Sequence, residues 1–165
     1  MSFSSEVKEE LSRHLPSARH CQIAETAAIL SVCGQVSISE DDRFRIVVHT
    51  ENISVARKYF TLLKKTFKIE AVTRIRKNAY LKKSTVYLVE VNSHEDAVRI
   101  LQATKFMTVD LEIAEDLSTM NRLIIKKECC KRAFLRGTFL AAGSISDPEK
   151  SYHLEIVCTT EERAL

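Results

Sequence analysis

Phe3, Val7 and Leu11 recur every four residues behind Ser4 and Ser5, with Glu6 in the first turn. That spacing predicts a short amphipathic helix ending near Pro16. A second helix is predicted over residues 21–33, stopped by Gly34, whose backbone freedom suits a left-handed C-terminal cap. Ile38 and the run Phe44-Arg45-Ile46-Val47-Val48-His49-Thr50 then predict a hairpin, with Phe44, Ile46 and Val48 inward and Arg43, Arg45 and His49 outward. Residues 52–67 repeat on a helical period, with Ile53, Ala56, Phe60, Leu63 and Phe67 as the expected buried stripe. Two strands are predicted at 68–77 and 84–91. Ile69, Ala71, Thr73 and Ile75 share one face of the first; Lys68, Glu70, Val72, Arg74 and Arg76 share the other. Residues 78–83 make a basic hairpin loop, 94–104 a helix, 105–122 a connector, and 123–142 a helix ending at Gly143.

The order then begins again. Cys33-Gly34-Gln35-Val36-Ser37-Ile38 and the strand after it have counterparts 109 residues later, in Ala142-Gly143-Ser144-Ile145 and Tyr152-His153-Leu154-Glu155-Ile156-Val157-Cys158. Gly34 to Gly143 and Val48 to Val157 keep the same offset, the mark of a duplicated unit. Leu165 falls where the second copy still needs a helix and two strands, so the sequence reads as the truncated piece of a longer protein. Three segments are expected: residues 1–19 as an N-terminal helix, 20–122 as the first repeat with its connector, and 123–165 as the start of the second. An unfinished second copy is expected to leave the chain less stable than a complete protein and prone to self-association.

Composition narrows the class. Only three Gly and two Pro in 165 residues argue against a disordered or loop-rich chain. The sequence has neither an apolar run long enough to cross a bilayer nor a secretion signal, so the expected location is cytoplasmic, with no membrane partner. Five cysteines, at 21, 33, 129, 130 and 158, form no two-residue-spaced pairs, so neither a metal site nor any other cofactor is expected. Residues 43–92 carry 12 Lys and Arg against 3 Asp and Glu, and residues 121–136 carry 6 against 1, on an otherwise acidic chain. Two basic zones of that kind suggest a surface facing a polyanion.

The repeat, with a helix ending in Gly before each first strand, resembles the LAGLIDADG homing-endonuclease fold. That is an α+β class of pseudo-twofold αββαββα units whose two motif helices pack at the axis through small side chains. Ala24, Ala28, Ser31 and Gly34 on one helix, and Ala133, Gly137 and Ala141 on the other, supply such a stripe. Nuclease chemistry in that fold needs an acidic residue at each helix end to hold divalent metal. Cys33 and Ala142 stand at those positions, and neither is a ligand for Mg²⁺, so the resemblance implies a fold without cleavage. A closer resemblance runs through Met1-Ser2-Phe3-Ser4-Ser5-Glu6-Val7-Lys8-Glu9-Glu10-Leu11 and through residues 131–155, beginning Lys131-Arg132-Ala133-Phe134-Leu135-Arg136-Gly137. Both stretches are similar to the bacterial WhiA family. This resemblance implies a non-catalytic, nucleoid-associated transcriptional regulator tied to sporulation, cell division and chromosome segregation. In that family a C-terminal helix-turn-helix domain follows, which this chain does not reach.

Double-stranded DNA is therefore the expected partner. Arg43, Arg45, Arg74 and Arg76 are candidate contacts from one sheet face, and Lys77, Lys82 and Lys83 from the loop. Lys126, Lys127, Lys131, Arg132 and Arg136 on the second motif helix are weaker candidates, because that helix must also bury a face. The other reading is a protein-interaction module for transcription or division proteins, with DNA bound by the missing domain. A residual nuclease is a third reading, opposed by Cys33 and Ala142.

Overall fold

The computed structural model describes residues 3–77, 85–107, 127–145 and 154–156. The chain order is α1 (Phe3–Arg13), α2 (Arg19–Cys33), β1 (Gly34–Ile38), β2 (Phe44–Thr50), α3 (Ile53–Phe67), β3 (Val72–Lys77), β4 (Thr85–Val91) and α4 (His94–Ala103). It continues with α5 (Glu128–Ala142), β5 (Gly143–Ile145) and β6 (Leu154–Ile156). Strands β1 to β4 form one antiparallel sheet in the order β1-β2-β4-β3, and β5 pairs with β6 in a separate ladder. No helix among the described residues is long and apolar enough to cross a membrane.

The alternation along β2 does what its pattern predicts. Phe44, Ile46, Val48 and Thr50 are buried beneath the helices, and Arg45, Val47 and His49 take the opposite face. Helix α2 lies at the centre, buried on most sides by α5, α3 and the sheet, so its apolar residues do not form a single stripe. Helix α3 begins where Asn52 accepts a hydrogen bond from the Ser54 amide at 2.8 Å. It ends at Lys68, a left-handed residue with φ 60°, and the Ile69 amide turns back to the Leu63 carbonyl at 3.1 Å. Guanidiniums from Arg19 and Arg99 reach the Thr66 and Phe67 carbonyls, serving the negative end of that helix.

Four expectations are corrected. Gly34 and Gly143 close their helices in extended conformations, with φ of −85° and −92°. What Gly34 provides is space: a Cβ there would sit 2.6 Å from the Leu30 carbonyl oxygen. The buried face of α3 keeps Ala56, Leu63 and Phe67 of the expected stripe but is shifted toward Val55, Tyr59 and Leu62, which are fully buried, while Ile53 is 41% exposed and Phe60 half-buried. Strand β3 starts at Val72 rather than 68, since Lys68 caps α3 and Ile69 drops into the core. Helix α5 begins at Glu128, and the expected residues 123–126 lie outside the described residues, as do most of the connector and the basic loop.

Two buried polar groups stand out in this core. Glu25, Lys58 and Arg136, from three different helices, form an ion cluster. Tyr59 is fully buried, and its hydroxyl has no partner among the described residues. Burial alone holds the Tyr59 phenol well above its ordinary range. The folded chain therefore keeps that proton at pH values where the unfolded chain loses it. The associated stability is present below the phenol's ordinary value near 10 and is lost as pH rises beyond it. Tyr59→Phe should consequently gain about 1 kcal/mol at neutral pH and lose less stability above about pH 10. Melting temperatures of both proteins across pH 7 to about 11 check this, and a destabilised variant would mean that the hydroxyl is paired.

Candidate nucleic-acid interface

The sheet face turned away from the helices is the candidate site. Register places Gln35 opposite Val47, Val47 opposite Glu90, and Glu90 opposite Val72, so these residues share one face. By the same register Ser37 stands opposite Arg45, and Arg74 opposite Leu88. Arg45, Arg74, Arg76 and His49 are thereby brought to one concavity of about 590 Å³, floored by Val47, Leu88 and Glu90.

Two guanidiniums bridge one carboxylate there, and a third, that of Arg76, lines the same concavity. Glu90 is buried at the centre of the sheet, where an unpaired carboxylate would be costly. It is bridged on both sides: Arg45 donates to Oε1, and Arg74 Nε forms an ion pair with Oε2 at 2.7 Å. Arg45 also donates to the Asn92 side chain. Both guanidiniums stay substantially exposed, with 46% and 64% of their side-chain surface open. Glu90 thus holds them from a fixed base while part of each stays open. Arg76 and Lys77 are exposed farther along β3 and make no ion pair among the described residues.

Not every expected residue joins this group. Arg43 precedes β2 and lies outside the concavity, 3.7 Å from Glu95 of α4. The Glu95 carboxyl is held low mainly by its own backbone amide and by Ser93, with Arg43 contributing less, so that pair is weak. Lys82, Lys83 and Lys126 lie outside the described residues. Lys127, just before α5, and Lys131 and Arg132 on it are exposed, whereas Arg136 is turned inward to Glu25 at 2.9 Å and is structural. Glu90 is the site residue that sequence reasoning missed. The available signal was a lone carboxylate in the apolar run of β4.

Cys33 and Ala142 end the two central helices, where the nuclease fold would carry its acidic residues. Cys33 borders a second concavity of about 680 Å³ with Lys8, Gly34, His49 and Ala141. Burial pushes the Lys8 ammonium below its ordinary range, and neighbouring Cys33 opposes that shift. Lys8 Nζ also stands 5.7 Å from the centre of the Phe139 ring. At the opposite end of the same helices, His20, Cys21, Cys129 and Cys130 converge.

A four-stranded antiparallel sheet, with paired helices that end in Gly before each hairpin, defines a LAGLIDADG-like domain. Solved structures bear out that class. The chain superposes with a TM-score of 0.66 on full-length DUF199/WhiA from Thermatoga maritima, at 22% identity, covering 98% of this chain and 46% of that one. It superposes with a TM-score of 0.51 on I-DmoI in complex with DNA and Mn, at 13% identity, covering 84% and 69%. The WhiA N-terminal LAGLIDADG-like domain matches residues 19–107, and the WhiA LAGLIDADG-like domain matches residues 131–165. The chain belongs to the WhiA family. A relative from Lachnoclostridium phytofermentans, described as a probable cell division protein WhiA, is 50% identical over 164 residues. That alignment covers 99% of this chain and 52% of the relative, so the chain spans about half the length of the curated relative it matches.

Proposed function

We propose that this domain binds duplex DNA without cutting it, as part of a cell-division protein that regulates transcription. The observation that carries this reading is the convergence of Arg45, Arg74 and Arg76 on the open sheet face. The same fold is seen with DNA bound in I-DmoI, and the relative above is described as a cell division protein. Guanidiniums on a sheet can bond phosphate oxygens and, in the major groove, guanine edges.

The reading is non-catalytic because of what stands at the helix ends. Mg²⁺ requires oxygen ligands, which Cys33 and Ala142 do not offer. Lys8 borders the same concavity as Cys33, and its ammonium would repel a divalent cation there. A second reading, a protein contact, is favoured by one observation. Ile53, Phe60, Ile75 and Tyr87 border an apolar groove of about 480 Å³, and Ile75 is 65% exposed.

Fluorescence anisotropy with random-sequence duplexes separates the two. Binding through phosphates is expected with a Kd on the order of 10⁻⁴ to 10⁻⁶ M at physiological salt, weakening steeply as salt rises. Arg76→Ala should lower the slope of log K against log salt by about 1. Glu90→Gln should act in the opposite direction, steepening the slope by releasing two guanidiniums to the polyanion. With Mg²⁺ present the duplex should stay intact. Binding that ignores salt would favour the protein-contact reading, and salt-sensitive binding unchanged by these variants would place DNA elsewhere on the chain.

A further inference from the structure

The first turns of the two central helices carry a cluster that the sheet-face site does not use. His20 and Cys21 open α2, and Cys129 and Cys130 open α5. His20 Nδ1 lies 3.0 Å from Cys130 Sγ, 3.4 Å from Cys21 Sγ and 3.7 Å from Cys129 Sγ. All four donor atoms fall within 4.8 Å of one another. We propose that these residues bind one Zn²⁺ ion, which ties the beginning of α2 to the beginning of α5.

The geometry matches the ion. Tetrahedral zinc, with Zn–S near 2.3 Å and Zn–N near 2.0–2.1 Å, needs nitrogen–sulfur separations of about 3.5 Å and sulfur–sulfur separations of about 3.8 Å. The three measured nitrogen–sulfur distances bracket the first value. The sulfurs need to close by at most about 1 Å to reach the second. Three thiol sulfurs and one imidazole nitrogen are a soft donor set, suited to zinc and unsuited to Mg²⁺ or Ca²⁺.

Neighbours in sequence do not normally share a metal on a helix, because successive side chains diverge by about 100°. Here each pair straddles the seam between two helices. Cys21 and Cys130 are buried in the seam, while His20 and Cys129 close over it from the exposed side, leaving an entry path for the ion. Repeat symmetry explains the arrangement. His20 and Cys129 are 109 residues apart, as are Cys21 and Cys130, the offset that also relates Gly34 to Gly143. Neither helix has a side-chain N-cap bond, from Ala18 or from Lys127. Two positive helix termini therefore face a centre whose three thiolates would leave it net anionic with zinc bound. Cys21 precedes Cys33 by 12 residues, so about 18 Å separate this centre from the positions of the lost nuclease metals.

The test uses the 165-residue chain, reduced, stripped with a chelator and titrated with Co²⁺. One equivalent should produce thiolate-to-cobalt charge-transfer absorption and the visible bands of a tetrahedral ion, and Zn²⁺ should abolish both. His20→Ala and Cys129→Ser alter exposed residues. Both should keep the wild-type circular dichroism and weaken cobalt binding by roughly tenfold or more. Cys21→Ser tests a buried ligand in the same titration. The proposal is overturned if no thiolate–cobalt absorption appears. It is equally overturned if the His20→Ala/Cys129→Ser double variant binds as the wild type does, or if thiol counting finds Cys21 and Cys130 joined in a disulfide.

Discussion

Glu25→Ala is expected to remove about 3–5 kcal/mol of stability, a large share of the roughly 5–15 kcal/mol that holds a domain together. Glu25 is fully buried in α2. Its Oε1 accepts from Arg136 Nε at 2.9 Å, and its Oε2 stands 3.2 Å from Lys58 Nζ without hydrogen-bond geometry. The Lys58 ammonium, equally buried, also donates to the Leu11 carbonyl at 3.2 Å and to the His14 carbonyl just past α1. One carboxylate therefore offsets two cations and joins three helices, and Lys58 extends the cluster to α1. Burial depresses the Lys58 ammonium from its ordinary value, and Glu25 is the main influence holding it up. Without Glu25 the depression deepens. Between that lowered folded value and the unfolded value near 10.4, the unfolded chain binds more protons, so stability rises with pH across the window. Urea unfolding at pH 7 and about pH 10 should show the variant's deficit shrinking at the higher pH. Glu25→Leu combined with Lys58→Met should recover most of the loss, because an apolar replacement leaves no buried lysine charge uncompensated. A deficit under about 1 kcal/mol in the single variant would mean that the cluster is solvated.

What could be read from the chain followed from how local each signal was. Phe44, Ile46 and Val48 alternate within one strand, and Asn52 sits beside the helix it caps, so both were visible without knowing the fold. The 109-residue repeat and its small-residue stripe foretold the pairing of α2 with α5, which is the most extensive helix contact among the described residues. Lys58 was invisible as a core residue, because a lysine among helical residues reads as a solvated position until a buried carboxylate is brought to it. Glu90 was missed for the converse reason: its guanidinium partners are on neighbouring strands, Arg45 being 45 residues away. Counting cysteine spacings along the sequence also overlooked the His20 cluster. Had the repeat offset been applied to the cysteines as it was to the glycines, Cys21 and Cys130 would have coincided. The convergence of these four side chains was thus encoded in the duplication and hidden from the linear motif.

Gly137→Leu is expected to prevent cooperative folding, and Gly137→Ala to cost about 1–2 kcal/mol. A Cβ at Gly137 would stand 2.8 Å from Ala28 Cβ and 2.8 Å from the Glu25 carbonyl oxygen, with Glu25 Cα at 3.3 Å. Carbon atoms prefer about 3.5–4.0 Å, and none of these neighbours is the free end of a flexible side chain. The two helices must therefore move apart. Overpacking of this kind costs about 1–3 kcal/mol, against which alanine returns at most about 1 kcal/mol of helix propensity. Leucine adds three further carbons to the same crossing, with no space to receive them. Ala28 is the repeat counterpart of Gly137, again 109 residues apart, so the pseudo-twofold axis passes between these two residues. Removing the Ala28 methyl should relieve part of the strain that Gly137→Ala introduces. The Ala28→Gly/Gly137→Ala double variant is thus expected to be more stable than the sum of the singles by at least about 0.5 kcal/mol. Chemical denaturation of the four proteins in this cycle measures that coupling. Strict additivity would show that the helices do not cross at Ala28 and Gly137.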